Sequence, residues 1–350
     1  MEDNEPLTTP DPMSGRREDP RSGADARVES EVAAGGVGLP AVMAAYPSLG
    51  GPAMPGRFGR VLTAMATPFS PDGNLDVPGA QRLARHLLDS GTDTLVVAGT
   101  TGESPTLTAD EKFRLWAAVA EVAGGNRLMA GTSTYSTAES VELTQLAEKA
   151  GAGSLLLVTP YYNKPPQSGL VAHFSAVASS TGLPCMLYNI PGRTACTIEV
   201  PTMVRLFERL DNVVAVKDAV GDMAAASRLH RETGGQMEQY SGDDKNLLPL
   251  LAVGGVGVVS VAAHLVGPAI QELVRAFERR DTAAALDLHL RHLALFEGLF
   301  ATSSPILLKA CLNLLGLPAG PLRPPLVDAT PDQVEFARGL LAGVGLEPRD

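Results

Sequence analysis

Eight short strand-like runs, each separated from the next by helix-like sequence, constrain the fold of this chain more than any other feature. The runs are Val61–Ala66, Thr94–Ala98, Leu128–Gly131, Ser154–Val158, Met186–Asn189, Val213–Lys217, Met237–Tyr240 and Val256–Val261. Short runs that are mostly apolar, such as Val213–Val216, read as strands buried on both faces, as in a parallel sheet covered by helices. The stretches between them, Val77–Ser90, Thr108–Ala123, Ala138–Ala150, Gly169–Ser180, Pro201–Arg209, Asp222–Thr233 and Lys245–Ala252, read as helices. Strand and helix alternating eight times predicts an α/β protein, a (β/α)8 TIM barrel. A doubly wound sheet is the competitor, but no Gly-x-Gly-x-x-Gly follows the first strand. Beyond Pro268 the chain reads as helices only: Ala269–Arg280, Thr282–Phe300, Pro305–Leu315 and Pro331–Ala342. The barrel is therefore expected over 58–267, with a C-terminal helical appendage over 268–350.

Residues 1–57 are dense in Pro, Gly, Ser, Ala and charge, and cannot bury enough apolar surface to offset chain entropy, so a disordered extension is expected. Its acidic start, Met-Glu-Asp-Asn-Glu, lacks the basic region and apolar core of a secretory signal and disfavours an organellar transit peptide. A cytoplasmic setting is expected. A net charge of -11 argues against a nucleic-acid partner or an anionic membrane surface. Leu247–Ile270 is uncharged and long enough to span a bilayer, but Pro249, Gly254, Gly255, Gly257 and Pro268 divide it into a helix, a turn and a strand, so no membrane span is expected. The six histidines show no HExxH spacing, and no metal or cofactor is expected. Cys185, Cys196 and Cys311 fit buried thiols in a reducing compartment.

In a barrel of this kind the chemistry lies where strands end and βα loops begin. Strand two ends in Gly99-Thr100-Thr101-Gly102-Glu103-Ser104, whose glycines admit a ligand and whose hydroxyls and amides suit a carboxylate. The alternative is a helix-capping turn. Strand four leads into Pro160-Tyr161-Tyr162-Asn163-Lys164-Pro165 and strand five into Tyr188-Asn189-Ile190-Pro191-Gly192-Arg193-Thr194. Such tyrosines can equally be rim packing. Strand six ends in Lys217. A lysine at the site face of a barrel is partly desolvated, which favours the neutral amine that forms Schiff bases. The plainer reading is a solvated lysine paired with Asp218.

These residues together resemble the lysine-dependent class I aldolases of the dihydrodipicolinate synthase and N-acetylneuraminate lyase superfamily, from about residue 58 to the C-terminus. Thr-Ala-Met-Ala-Thr-Pro-Phe at 63–69, Gly-Thr-Thr-Gly-Glu, Pro-Tyr-Tyr-Asn-Lys-Pro, Tyr-Asn-Ile-Pro-Gly-Arg-Thr, the lysine strand and Ser-Gly-Asp-Asp occur in order. The resemblance implies that Lys217 forms an imine with pyruvate and that Tyr188 is the general acid/base. It implies that Thr100 links Tyr188 to Tyr162 in a proton relay, with Tyr162 supplied by a neighbouring subunit. Thr101 would hold the pyruvate carboxylate, the Val259 carbonyl would face the imine, and Gly242 would border the substrate. A homotetramer, built as a dimer of dimers, is implied as well.

Arg193 distinguishes branches of the superfamily. Its position resembles the dihydrodipicolinate synthase branch, where an arginine makes a two-pronged contact with the carboxylate of L-aspartate 4-semialdehyde. The implied reaction is condensation of pyruvate with that aldehyde, toward diaminopimelate and lysine. The alternatives are cleavage or dehydration of a 2-keto-3-deoxy sugar acid, and a non-catalytic paralogue. Regulated members bind lysine around the positions of Ser104, Ala109, Lys112, Tyr135, Glu139 and Tyr161. The cationic Lys112 predicts weak or absent lysine inhibition here.

Overall fold

Phase, not merely content, governs how the eight runs pair. The computed structural model describes residues 56–349. Eight parallel strands close into a barrel in chain order: β1 (Val61–Ala64), β2 (Thr94–Val97), β3 (Leu128–Gly131), β4 (Ser154–Val158), β5 (Cys185–Asn189), β6 (Val213–Asp218), β7 (Glu238–Ser241) and β8 (Gly257–Ser260). Each is followed by a helix: α1 (Val77–Asp89), α2 (Ala109–Ala123), α3 (Thr137–Lys149), α4 (Gln167–Ala178), α5 (Val200–Arg209), α6 (Met223–Glu232), α7 (Leu247–Ala252) and α8 (Ala263–Glu278). One extra helical turn, Pro191–Thr194, follows β5 directly. The tail forms α9 (Thr282–Gly298), α10 (Ile306–Leu314) and α11 (Pro331–Gly343). The expected TIM barrel with C-terminal helices is the observed architecture. The expected extension over 1–57 lies outside the described residues except for Gly56 and Arg57; the Arg57 amide donates to both carboxylate oxygens of Glu238, at 2.8 and 3.0 Å, beneath the barrel.

Although most of the strands read as apolar on both faces, alternate residues serve two different cores. Leu62, Val96, Met129, Leu156, Met186 and Val259 fill the barrel interior. Val61, Leu95, Leu128, Leu155, Leu187 and Val258 face the helices, meeting Leu83, Trp116, Phe174 and Leu229. Local chemistry starts the helices that cover this outer face. Thr108 and Glu111 form a reciprocal capping box at α2, and the Asp222 carboxylate accepts from the Ala224 and Ala225 amides at α6.

β6 departs from simple alternation. Cys185 pairs with Val213 but Met186 pairs with Ala215, so Val214 is an extra residue in the ladder, a β-bulge. Val214 and Ala215 therefore both face the interior, while Val213 and Val216 face the helices. The inserted residue reverses the phase of everything after it. Were β6 to alternate regularly from Val213, with no bulge, Lys217 would share the outward face of Val213.

The end of the barrel needs a correction. α8 starts at Ala263 rather than the expected Ala269, and the expected division at 267/268 falls inside this helix, which packs on β1. Pro268 suggested a helix start. Instead it follows a kink at Val266 (φ -130°), where the helix absorbs the lost donor without ending. Among the described residues no helix is long and apolar enough to cross a membrane.

The segment between α10 and α11 returns to the barrel through Arg323. Its guanidinium contacts both carboxylate oxygens of Glu111, at 2.5 and 2.9 Å, and donates to the Gly73 and Thr106 carbonyls. The hydrogen bond from Arg323 holds the Glu111 carboxyl down from 4.5 to about 2. A carboxylate with a depressed folded-state value stabilises the fold above its unfolded value and stops doing so as pH falls. Wild type is accordingly expected to lose stability between pH 4.5 and about 2 more steeply than Glu111→Gln, as read from urea unfolding at a series of pH values. Equal slopes would refute this.

Candidate active site

Lys217 and Tyr188 are partners across the β5–β6 ladder, at one level and facing one interior. The Lys217 ammonium lies 4.1 Å from the centroid of the Tyr188 ring. Only 4% of Lys217 is exposed, and it makes no ion pair among the described residues. The plainer pairing with Asp218 is not found. Asp218 lies on the opposite face of β6, where its Oδ1 accepts from the Val220 amide at 2.9 Å and burial pushes its carboxyl up. On the other flank, Tyr240 of β7 pairs in register with Lys217. Tyr240 is fully buried, and its hydroxyl donates to the Gly59 carbonyl at 3.1 Å and the Glu238 carboxylate at 3.0 Å. Burial, with the Glu238 charge, pushes this phenol up, so it stays protonated. Together with Phe58 it forms the floor beneath the lysine. Sequence reasoning passed over Tyr240; an aromatic two residues after Glu238 at interior phase was the available signal.

Above this floor, at the C-terminal ends of β2 to β5, is a cavity of about 210 Å3. Thr100, Ser133, Tyr161, Tyr188, Arg193 and Thr194 are among the residues on its wall. Tyr188 thus has one face on the cavity and the lysine ammonium against its ring. Thr100 comes from a loop of tight turns: the Gly102 amide donates to the Gly99 carbonyl, the Glu103 amide to Thr100, and the Thr67 hydroxyl to the Gly102 carbonyl at 2.7 Å. A β-carbon on Gly102 would lie 3.1 Å from the Met65 carbonyl and the Thr67 hydroxyl, so a larger residue would press these neighbours aside. Arg193 reaches the wall from the Pro191–Thr194 turn, with its Nη2 3.5 Å from the Ser304 carbonyl.

The remaining expected residues are placed differently. Thr101 is buried beside Thr100, and Val259 is buried in the barrel interior on β8. Gly242 donates its amide to the Asp218 carbonyl at 2.7 Å and abuts Ala219 too closely for a β-carbon. None of these three is on the cavity wall. Tyr162 is not brought to the cavity at all: at φ +71° its side chain is 93% exposed. Neighbouring Tyr161 is half-buried, edge-on to Tyr135 at 5.3 Å, and burial near Glu139 pushes its phenol up. Lys112 is buried near the same glutamate; burial pushes its ammonium down and Glu139 opposes this. One further wall residue was missed. Ser133 Oγ is 2.9 Å from His173 Nε2, and burial holds His173 near 4, hence neutral. The hydroxyl-rich Thr132-Ser133-Thr134 after β3 was its signal.

Residues 57–341, which carry every group just described, match the model of the dihydrodipicolinate synthetase family. The chain belongs to that family. It is 56% identical over 292 residues to the 4-hydroxy-tetrahydrodipicolinate synthase of Acidothermus cellulolyticus, covering 83% of this chain and 94% of the relative. It is 51% identical over 291 residues to 4-hydroxy-tetrahydrodipicolinate synthase 2 of Streptomyces coelicolor, covering 83% and 96%. Among solved structures, the lysine-bound dihydrodipicolinate synthase of Cyanidioschyzon merolae superposes with a TM-score of 0.79 at 44% identity, covering 83% of this chain and 99% of that one. The Aquifex aeolicus dihydrodipicolinate synthase gives 0.81 at 36% identity, with the same coverage. Membership of the dihydrodipicolinate synthetase family accounts for a lysine and a tyrosine sharing one level of the barrel beneath a cavity.

Proposed function

We propose that this chain condenses pyruvate with L-aspartate 4-semialdehyde through an imine on Lys217, giving 4-hydroxy-tetrahydrodipicolinate in lysine biosynthesis. The observation that carries the reading is the in-register Lys217–Tyr188 pair facing the interior below a cavity bordered by Thr100 and Arg193. Lys217 Nζ attacks the pyruvate carbonyl carbon, and loss of water leaves an iminium. That positive nitrogen accepts electron density as a methyl proton leaves, giving an enamine. The enamine carbon attacks the aldehyde, whose oxygen takes up a proton. Attack by the amino group of the second substrate on the imine carbon closes the ring and releases Lys217. Tyr188, whose ring centroid lies 4.1 Å from the amine, would move these protons.

Thr101 would hold the pyruvate carboxylate, Thr100 would carry protons outward from Tyr188, and Arg193 would receive the carboxylate of the aldehyde substrate. Val259 and Gly242 would line the imine side. Tyr162 completes the relay from a second copy, an assignment supported by its solvent-facing ring here. A homotetramer in the cytoplasm is the setting this reading implies.

Treating the protein with pyruvate and borohydride should add one reduced pyruvate to wild type and none to Lys217→Ala, by intact mass. An unchanged wild-type mass would sink the reading. Arg193→Ala should still trap pyruvate but lose about 10- to 100-fold in kcat/KM for aspartate semialdehyde, the worth of a charge-assisted hydrogen bond at about 1.5–3 kcal/mol. Faster turnover of a 2-keto-3-deoxy sugar acid would move the assignment to another aldolase. Lysine at sub-millimolar concentration should inhibit weakly or not at all, because Lys112 already sits near Glu139. Strong inhibition would overturn this.

A further inference from the structure

The loop carrying Thr100 and Thr101 is gripped from outside the barrel. Its last residue before Ser104 is Glu103, which is buried and sits at φ +54°, a left-handed conformation that a β-carbon disfavours. Glu103 Oε1 lies 2.7 Å from the Lys309 ammonium of α10, and each side chain is only 1% exposed. The other carboxylate oxygen, Oε2, accepts the Arg323 amide at 2.9 Å. Lys309 also donates to the Pro321 carbonyl at 2.8 Å. The Lys309 ammonium and the Arg323 guanidinium both lie against the ring of Phe69, at 4.3 and 4.2 Å, just after β1. Burial pushes the Lys309 ammonium down, and Glu103 is the largest influence opposing that.

A buried ion pair is a poor source of net stability, since desolvation offsets most of the attraction. It is nonetheless intolerant of displacement, because a lone buried charge is costly. That combination suits a clamp. We propose that Glu103 and Lys309 are positioning residues whose ion pair fixes the Gly99–Ser104 loop, so that the C-terminal helical region is part of the pyruvate site. The inference rests on the reading of this loop as the holder of the pyruvate carboxylate. Neither residue touches the substrate; both act through Thr100 and Thr101.

The deciding variant is the double substitution Glu103→Gln with Lys309→Met, which removes both charges and leaves no buried ion unpaired. Its far-ultraviolet circular dichroism should match wild type. Half-saturating pyruvate in borohydride trapping should rise about 10-fold, while KM for aspartate semialdehyde changes by less than about 2-fold, because Arg193 is held by a different loop. Lys309→Met alone should be worse than the double variant, since it strands the carboxylate. Half-saturating pyruvate within about 2-fold of wild type, or equal shifts for both substrates, would overturn the proposal. Should the double variant not fold, Glu103→Asp carries the same two readouts, shortening the reach by one methylene while keeping the charge. A wild-type chain that traps no pyruvate would instead refute the function, independently of the variants.

Discussion

Closure of the parallel sheet is the constraint from which the rest follows. With no free edge, every strand has two neighbours, and a side chain at interior phase is held at a fixed level between two others. Lys217 is thereby set between Tyr188 and Tyr240, its register partners on either flank. The closed interior leaves room above for a cavity and needs a floor below, which Tyr240 and Phe58 supply. The lysine is enclosed by geometry rather than by a partner carboxylate.

The C-terminal region is more than an appendage. Arg323 spans the β1 loop, the residues before α2 and Glu111, and its own amide meets Glu103. Lys309 reaches the same glutamate from α10. Charged groups that would be expensive to bury singly are assembled around Phe69, joining three chain segments behind the loop that faces the cavity. The rigid barrel positions Lys217, while this polar network bears on Thr100 and Thr101.

Strand and helix content was legible because period and composition report local burial: β3 and β4 have the bounds read from sequence, and α2 begins with the Thr108–Glu111 capping box. Pro268 misled, because a proline can sit in a kink as well as start a helix. Lys217, Tyr188, Thr100 and Arg193 were recognisable from strand-end motifs. Tyr240 and Ser133 carried weaker signals and were passed over, since a strand tyrosine and a loop serine are common core and cap residues. Lys309 and Glu103 are separated by roughly two hundred residues of chain, and no local pattern links them.

By itself the sequence determined that strands and helices alternate and which strand ends carry the polar motifs, because these depend on neighbours within a few residues. Only the tertiary structure decided which way those side chains point and what they meet. The bulge at Val214 turns Lys217 inward, an effect invisible in an apolar run whose two faces are both buried. The exposure of Tyr162 and the distant pairing of Glu103 with Lys309 belong to the same class. Each depends on register and packing between segments far apart in the chain, which local propensity does not encode.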